Sequence, residues 1–92
     1  MIRSFMCADT EALFVTGKSK RFATIKRVAE RKLTQLHAAA SLDSLRAPPG
    51  NRLEALTGDR QGQHSIRIND QWRLCFVWSA EGVLAVAIVD YH

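Results

Sequence analysis

The chain has 92 residues, of which 47% are hydrophobic and 24% charged, and its formal net charge is +4 at pH 7. This length suits one compact domain with a hydrophobic core and excludes a second, so we expect a single domain over residues 1–92. The first residues lack the apolar run of a signal peptide, and no stretch reaches the roughly 20 apolar residues that span a bilayer. We therefore expect a cytoplasmic protein without a membrane partner.

The N-terminal half predicts one strand and two helices. Residues 2–5 are typical of a short strand, and Asp9 begins a short helix that Gly17 ends. Thr24 is predicted to cap a longer helix that reaches about Ala40. Its apolar residues recur at helical spacing and form one stripe: Ile25, Val28, Ala29, Leu33, Leu36 and Ala40. Residues 41–51 are predicted to be irregular, because Pro48-Pro49-Gly50 continues neither a helix nor a central strand.

Basic residues cluster at the start of the longer helix. Residues 17–32 contain seven of them against the one acid Glu30: Lys18, Lys20, Arg21, Lys26, Arg27, Arg31 and Lys32. Clustered positive charge is typical of proteins that bind nucleic acid, because neutralising phosphates releases counterions. A solvated helix face has the same pattern, so both interpretations remain open.

The C-terminal half predicts strands. A short extended piece at residues 52–56 and a loop through Gly58 and Gly62 precede strands at 64–68, 72–78 and 83–90. A three-residue loop at 69–71 pairs Ile68 with Trp72. This register gives an apolar face for the helices to cover: His64, Ile66, Ile68, Trp72, Leu74, Phe76 and Trp78.

The same register places Arg67 opposite Arg73 on the other face of the sheet. Like charges directly opposite each other repel unless something neutralises them. One interpretation is a phosphate, since the planar guanidinium group binds two phosphate oxygens at once. The other is that each arginine has its own acidic partner among Asp59, Asp70 and Asp90.

The chain closes with Asp90, Tyr91 and His92 behind the apolar run 83–89. A carboxylate, a phenol and an imidazole at the end of a buried strand favour proton transfer, although a solvated polar tail is the alternative. His37 and His64 are predicted to be structural. The two cysteines lack CxxC spacing, so we predict free thiols, no metal site and no cofactor.

Several of these segments together resemble the HigB toxins of bacterial toxin–antitoxin modules, within the RelE-type superfamily. The resemblance rests on residues 52–60 (RLEALTGDR), Gly62, residues 64–67 (HSIR), residues 72–74 (WRL) and the closing triplet. It also takes in residues 2–5 and the order of the elements, so it covers the whole chain. It implies an α+β, RelE-like fold: an antiparallel-rich sheet, with a short N-terminal strand plus three C-terminal strands, two N-terminal helices on one face and a basic catalytic surface on the other.

The resemblance implies a ribosome-dependent endoribonuclease that cleaves mRNA in the A site by metal-free attack of the 2′-hydroxyl. The implied partners are the ribosome with its rRNA, the mRNA and a HigA-type helix-turn-helix antitoxin, through which alone operator DNA would be contacted. Lys18, Lys20, Arg21, Lys26 and Arg27 are the candidates for RNA binding, with Arg67. The alternatives are a non-catalytic basic inhibitor of translation or ribosome assembly, and a degenerate toxin that acts as a co-repressor with its antitoxin.

The implied catalytic residues are Glu54, Arg73, Asp90, Tyr91 and His92. His92 would transfer a proton near neutral pH; Asp90 would orient it, and Tyr91 would stack on a base or bind the ribose. Arg73 would stabilise the charge of the transition state, with Arg67 as a weaker second candidate. Better-known members of the family have a histidine where this chain has Glu54. That carboxylate would act as the general base, orient the nucleophile, or pair with Arg52 or Arg73.

Overall fold

The computed structural model describes residues 1–90 and confirms the predicted α+β architecture. Helices α1 (Ala8–Thr16) and α2 (Lys26–Ala38) precede strands β1 (Glu54–Ala55), β2 (His64–Arg67), β3 (Trp72–Ser79) and β4 (Gly82–Asp90). The strands form one sheet in the order β1-β2-β3-β4, and every neighbouring pair is antiparallel. Within the described residues, neither helix is long and apolar enough to cross a membrane.

The register of β2 and β3 is the predicted one. Ile66 lies opposite Leu74 and Arg67 opposite Arg73. The N–H of Ile68 donates to the carbonyl oxygen of Trp72 at 2.9 Å, which closes the three-residue loop 69–71. The side-chain oxygen of Asn69 accepts from the backbone N–H groups of Gln71 and Trp72, each at 2.8 Å.

The helices cover the predicted apolar face of the sheet. Ile66, Leu74 and Phe76 are fully buried there, in one cluster with Leu33 and Leu36 of α2. The two tryptophans of β3 pack against this cluster. A fully buried core of this kind supplies most of the stability of a small domain, because removal of apolar surface from water is the dominant favourable term.

The N-terminal segment 1–6 lies along the outer edge of β4. It forms two isolated parallel bridges, from Ile2 to Val83 and from Phe5 to Val86. Between them β4 is distorted at Ala85, whose φ is +53° and whose N–H donates to the Ser4 hydroxyl at 2.8 Å. The segment predicted as a strand therefore joins the sheet through two bridges, and β1 supplies the fourth strand of the ladder.

The helix ends differ from the prediction by a few residues. Thr24 lies inside a 3₁₀ turn at 23–25 and does not cap α2, which begins at Lys26. The helix ends at Ala38 because Ala39 is extended, with φ −64° and ψ 128°, so Ala40 lies outside the stripe and is exposed. Helix α1 does end at Gly17 as predicted: its φ is +73°, a conformation that glycine adopts without steric cost.

A buried polar network fixes the irregular segment between α2 and β1. The side chain of Asn51 is fully buried, and its amide nitrogen donates to the carbonyl oxygens of Leu45 at 3.0 Å and Ala47 at 3.2 Å. Its amide oxygen accepts a hydrogen bond from the buried ammonium group of Lys32. Burial lowers the pKa of Lys32. Asn51 therefore links the buried Lys32 ammonium group to the backbone of the irregular segment.

Replacing Asn51 with alanine is expected to lower the free energy of unfolding by about 2–4 kcal/mol, because the buried Lys32 ammonium loses its acceptor and the Leu45 carbonyl oxygen loses its donor. Urea denaturation followed by circular dichroism measures the change. Gln61→Ala is the control, since this side chain is exposed, and its effect is expected to stay within about 0.5 kcal/mol. A loss below about 1 kcal/mol for Asn51→Ala would show that the network is dispensable.

Candidate active site

Polar side chains converge on the sheet face that the helices leave uncovered. Directly opposed residues of antiparallel strands point to the same face. Glu54 lies opposite Ser65, Ser65 opposite Cys75, and Arg67 opposite Arg73. Ser65 and Arg67 are two residues apart and so share that face. We call these five side chains the arginine face; it brings together three of the predicted site residues, Glu54, Arg67 and Arg73.

Arg73 is held rigidly on this face. Its side chain is 11% exposed. Its Nε donates to the Ser65 hydroxyl at 2.7 Å, and one terminal nitrogen donates to the carbonyl oxygen of Arg52 at 2.7 Å. A guanidinium group fixed by strand side chains and backbone needs little reorganisation to stabilise a negative charge that develops beside it.

Glu54 lies next to this cation at the edge of the sheet. Its Oε1 is 3.7 Å from a terminal nitrogen of Arg73, and its side chain is 51% exposed. Because the carboxylate is half in water, the ion pair contributes little to stability. The pair does place a carboxylate oxygen and a guanidinium nitrogen next to each other on the surface. Pairing with Arg73 was one of the three interpretations of Glu54.

Arg67 has its own acidic partner, so that alternative is confirmed for this residue. Its guanidinium group pairs with the carboxylate of Asp70 in the 69–71 loop, and the Asp70 side chain is fully exposed. Arg73 has a carboxylate neighbour in Glu54, the pair that one interpretation of Glu54 predicted, although Glu54 is not among the three acids that the arginine pair alone suggested. The two opposed arginines therefore have carboxylate neighbours, and their juxtaposition alone does not require a bound anion.

Two further residues of the site were missed from the sequence. Ser65 anchors Arg73, and the alternation of side chains along β2 was the signal for it, because Ser65 precedes Arg67 by two positions. Arg60 lies in residues 52–60, which carry part of the family resemblance. Burial raises the pKa of the Cys75 thiol, while the charges of Arg60 and Arg73 oppose that shift. Arg60 therefore adds a third positive charge close to the arginine face.

The structure does not place Asp90 on the arginine face. Asp90 lies opposite Trp72, whereas Val89 lies opposite Arg73. The Asp90 carboxylate therefore leaves β4 on the helix-covered side, where it accepts a hydrogen bond from the Gln71 amide at 3.1 Å. Tyr91 and His92 lie outside the described residues, and their predicted roles stay predictions.

The predicted RNA-binding residues of the helical half form a second, separate basic surface. Lys18, Lys20 and Lys26 line a shallow hollow of about 540 Å³ between α1 and α2. Arg21 turns towards α1 and pairs with Asp9 at 3.5 Å, while Arg27 is exposed on α2. This basic surface lies in the helical layer, on the other side of the sheet from the arginine face.

The sequence matches a known family over residues 8–92: the RelE-like toxin of type II toxin-antitoxin system HigB. The chain belongs to the HigB-like toxin family. One relative is Toxin HigB-1 of Vibrio cholerae serotype O1 (strain ATCC 39315 / El Tor Inaba N16961), with 44% identity over 70 residues, or 76% of this chain and 73% of the relative. An uncharacterised protein of Haemophilus influenzae is 38% identical over 58 residues, or 63% of this chain and 57% of that protein.

The fold of this HigB-like toxin is also found in a solved toxin–antitoxin complex. The YoeB-YefM complex from Staphylococcus aureus contains a chain that superposes with a TM-score of 0.58, covering 100% of this chain and 98% of that one. The two sequences are 19% identical. The comparison supports the RelE-like arrangement of two helices and a four-stranded antiparallel sheet.

Proposed function

We propose that this HigB-like toxin is an endoribonuclease that cleaves mRNA in the ribosomal A site and so inhibits translation. The observation that carries the proposal is the pairing of a rigid, largely buried cation with a half-exposed carboxylate. Arg73 is fixed by the Ser65 hydroxyl and the Arg52 carbonyl oxygen, and Glu54 lies 3.7 Å from it. Cleavage of a phosphodiester needs both kinds of group at one point.

In the proposed reaction the ribose 2′-oxygen attacks the adjacent phosphorus atom. Glu54 takes the proton of the 2′-hydroxyl, and the new bond from the 2′-oxygen to phosphorus forms as the bond to the 5′-oxygen breaks. His92 delivers a proton to the departing 5′-oxygen. The products are a 2′,3′-cyclic phosphate and a 5′-hydroxyl, with no metal in the reaction.

The arginines stabilise the charge that gathers on the phosphorane oxygens. Arg73 contributes more than Arg67, because Arg67 is already paired with Asp70. Tyr91 keeps the role that the family resemblance implies, a contact to a base or to the ribose. Asp90 would position His92, as the resemblance also implies, from the side of β4 that faces away from Arg73.

The two basic surfaces suit two different RNA contacts. The mRNA would bind the arginine face, and the lysines around the 540 Å³ hollow would bind ribosomal RNA on the opposite side of the sheet. Lys18, Lys20 and Lys26 are exposed, and these three lysines outnumber the carboxylate of Glu30, which lies beside the hollow against Gly17. Such a surface attracts a polyanion in a salt-dependent way.

The physiological partner is proposed to be a HigA-type helix-turn-helix antitoxin that holds the toxin inactive. The family comprises toxins of type II toxin–antitoxin systems. The superposed Staphylococcus aureus chain is part of a YoeB-YefM toxin–antitoxin complex. Operator DNA would be bound only by the complex, through the antitoxin.

Induction of the toxin in cells without the antitoxin tests the function. Growth arrest and new in-frame cuts in messengers, mapped by reverse transcription, are the expected results, and His92→Gln should relieve much of the arrest. The double variant Arg73→Ala with His92→Gln should be non-toxic; if it arrests growth like the parent, the catalytic assignment is wrong. Arrest without new cuts would identify a non-catalytic inhibitor. Operator binding with the antitoxin and no growth effect alone would identify a co-repressor.

A further inference from the structure

A groove lies beside the edge strand β1, adjoining the arginine face. Its volume is about 320 Å³. The residues that line it come from the 3₁₀ turn at 43–46, from β1 and from the start of β2: Leu42, Asp43, Arg46, Leu53, Glu54, Ala55 and His64. We call it the β1 groove. Glu54 belongs both to this groove and to the arginine face, so the two are continuous around the edge of the sheet.

His64 lines the groove, and one nitrogen of its ring is buried behind the groove wall without a hydrogen-bond partner. Within residues 1–90, its Nδ1 is the one buried side-chain nitrogen or oxygen without a hydrogen-bond partner. Buried polar groups in native proteins are almost always paired, so an exception calls for a functional explanation. The ring is stacked on Phe76, with 6.3 Å between centroids and 22° between planes, which fixes its orientation.

The unpaired nitrogen also indicates which way the ring can donate. A proton on Nδ1 would be buried without an acceptor, which is costly. A ring that carries a single N–H therefore holds it on Nε2. A ligand in the β1 groove that offers a hydrogen-bond acceptor would find this N–H in a fixed plane.

The charges around the groove favour an uncharged ligand. Asp43 and Arg46 form an ion pair at 2.7 Å, and Glu54 is paired with Arg73. Each cation at the groove therefore has a carboxylate neighbour, while Leu42, Leu53 and Ala55 supply apolar wall. A phosphate group would gain little electrostatic energy there, because these cations already face carboxylates. A planar, neutral group with polar edges can pack against the apolar walls and accept hydrogen bonds from the exposed Arg46 guanidinium group and from the His64 ring N–H.

We propose that the β1 groove binds one nucleobase of the RNA, that of a nucleotide flanking the scissile phosphate. This inference rests on the proposed nuclease function and adds a determinant of sequence preference to it. Glu54 and Ala55 are consecutive strand residues and point to opposite faces. A nucleotide whose phosphate lies at Arg73 can therefore direct its base around β1 towards His64. The groove volume is at the lower end of the range for small-molecule sites, as expected for a single base.

Two variants test this inference through the sequence profile of the cuts. His64→Phe keeps the stacked ring and removes the N–H, so the preference between bases at one position near the cut should fall by about three- to tenfold. Ala55→Trp fills the groove and should flatten the preference at the same position. Ala38→Trp is the matched control, because Ala38 is also exposed but lies at the end of α2. Its profile should equal that of the parent.

The profiles are read from 5′-end mapping after induction, alongside capture of the antitoxin by each variant. Cuts with an unchanged profile in both groove variants would overturn the base site and leave the nuclease intact. A loss of antitoxin capture by Ala55→Trp with an unchanged profile would show that the groove seats a peptide, which also overturns it. If the parent makes no cuts, the nuclease function fails and the base site fails with it.

Discussion

Replacing Arg73 with alanine is expected to slow the cleavage of ribosome-bound mRNA by about 100- to 1,000-fold, the usual effect of removing one preorganised donor from a charged transition state. The guanidinium group is held by Ser65 and by the Arg52 carbonyl oxygen before any substrate arrives. It therefore acts on the phosphorane without further ordering. Single-turnover cleavage of a short messenger on purified ribosomes measures the loss.

Two controls separate this effect from a loss of folding. Arg73→Lys keeps the charge but not the planar fork, so it should recover the rate only in part. Arg67→Ala should lose about tenfold or less, because Arg67 is already paired with the exposed Asp70. Arg73→Ala also leaves the buried Ser65 hydroxyl without this donor, so its thermal unfolding must be followed in parallel. A folded Arg73→Ala protein with less than about tenfold loss would remove Arg73 from the transition state.

The part of the site that the sequence predicts is the part fixed by alternation along strands. Shifting the pairing of β2 and β3 by one residue would move either Ile66 or Leu74 out of the core, so burial selects one register. That register places Arg67 opposite Arg73 without any knowledge of tertiary structure. The same alternation along β2 also predicts Ser65 on this face, because Ser65 and Arg67 are two residues apart.

The contacts of the long side chains were not predictable in this way. Arg67 turns to Asp70 in the next loop, and Arg73 reaches the Arg52 carbonyl oxygen, which lies 21 residues away along the chain. The second contact depends on how the irregular segment before β1, which contains Arg52, returns the chain to the sheet. Periodicity carries no information about that return. The position of Asp90 was not predictable for a similar reason. β4 is distorted near Ala85, and its register with β3 shifts between Cys75 and Val77. This shift decides which face of the sheet Asp90 joins.

The start of α2 illustrates competition between two local signals. Thr24 is a good capping residue by type. The structure instead forms a 3₁₀ turn at 23–25, in which Ile25 is buried in the core while Thr24 is exposed. Burial of the isoleucine fixes the chain direction at that point, so the preference of a threonine for the cap position does not decide where the helix begins.

Replacing Glu54 with glutamine is expected to slow single-turnover cleavage by about 100-fold or more, because a general base contributes about 10²- to 10⁴-fold and an amide does not accept the proton. The substitution keeps the size of the side chain and its place beside Arg73. Glu54→His tests the same role with a different base, and it should be faster than Glu54→Gln, since the better-known family members have a histidine at this position.

The competing role for Glu54 is to hold Arg73 in place, and the two roles give opposite results. An amide oxygen still accepts a hydrogen bond from a guanidinium group, and Arg73 keeps its contacts to Ser65 and the Arg52 carbonyl oxygen in any Glu54 variant. If Glu54 only positions Arg73, the glutamine variant should lose less than about tenfold. Asp59→Asn is the matched control, because it removes one exposed carboxylate from the neighbouring loop without touching the arginine face. Equal losses in both variants would indicate a general effect of net charge on RNA binding, and a selective loss at Glu54 would assign the proton transfer to this carboxylate.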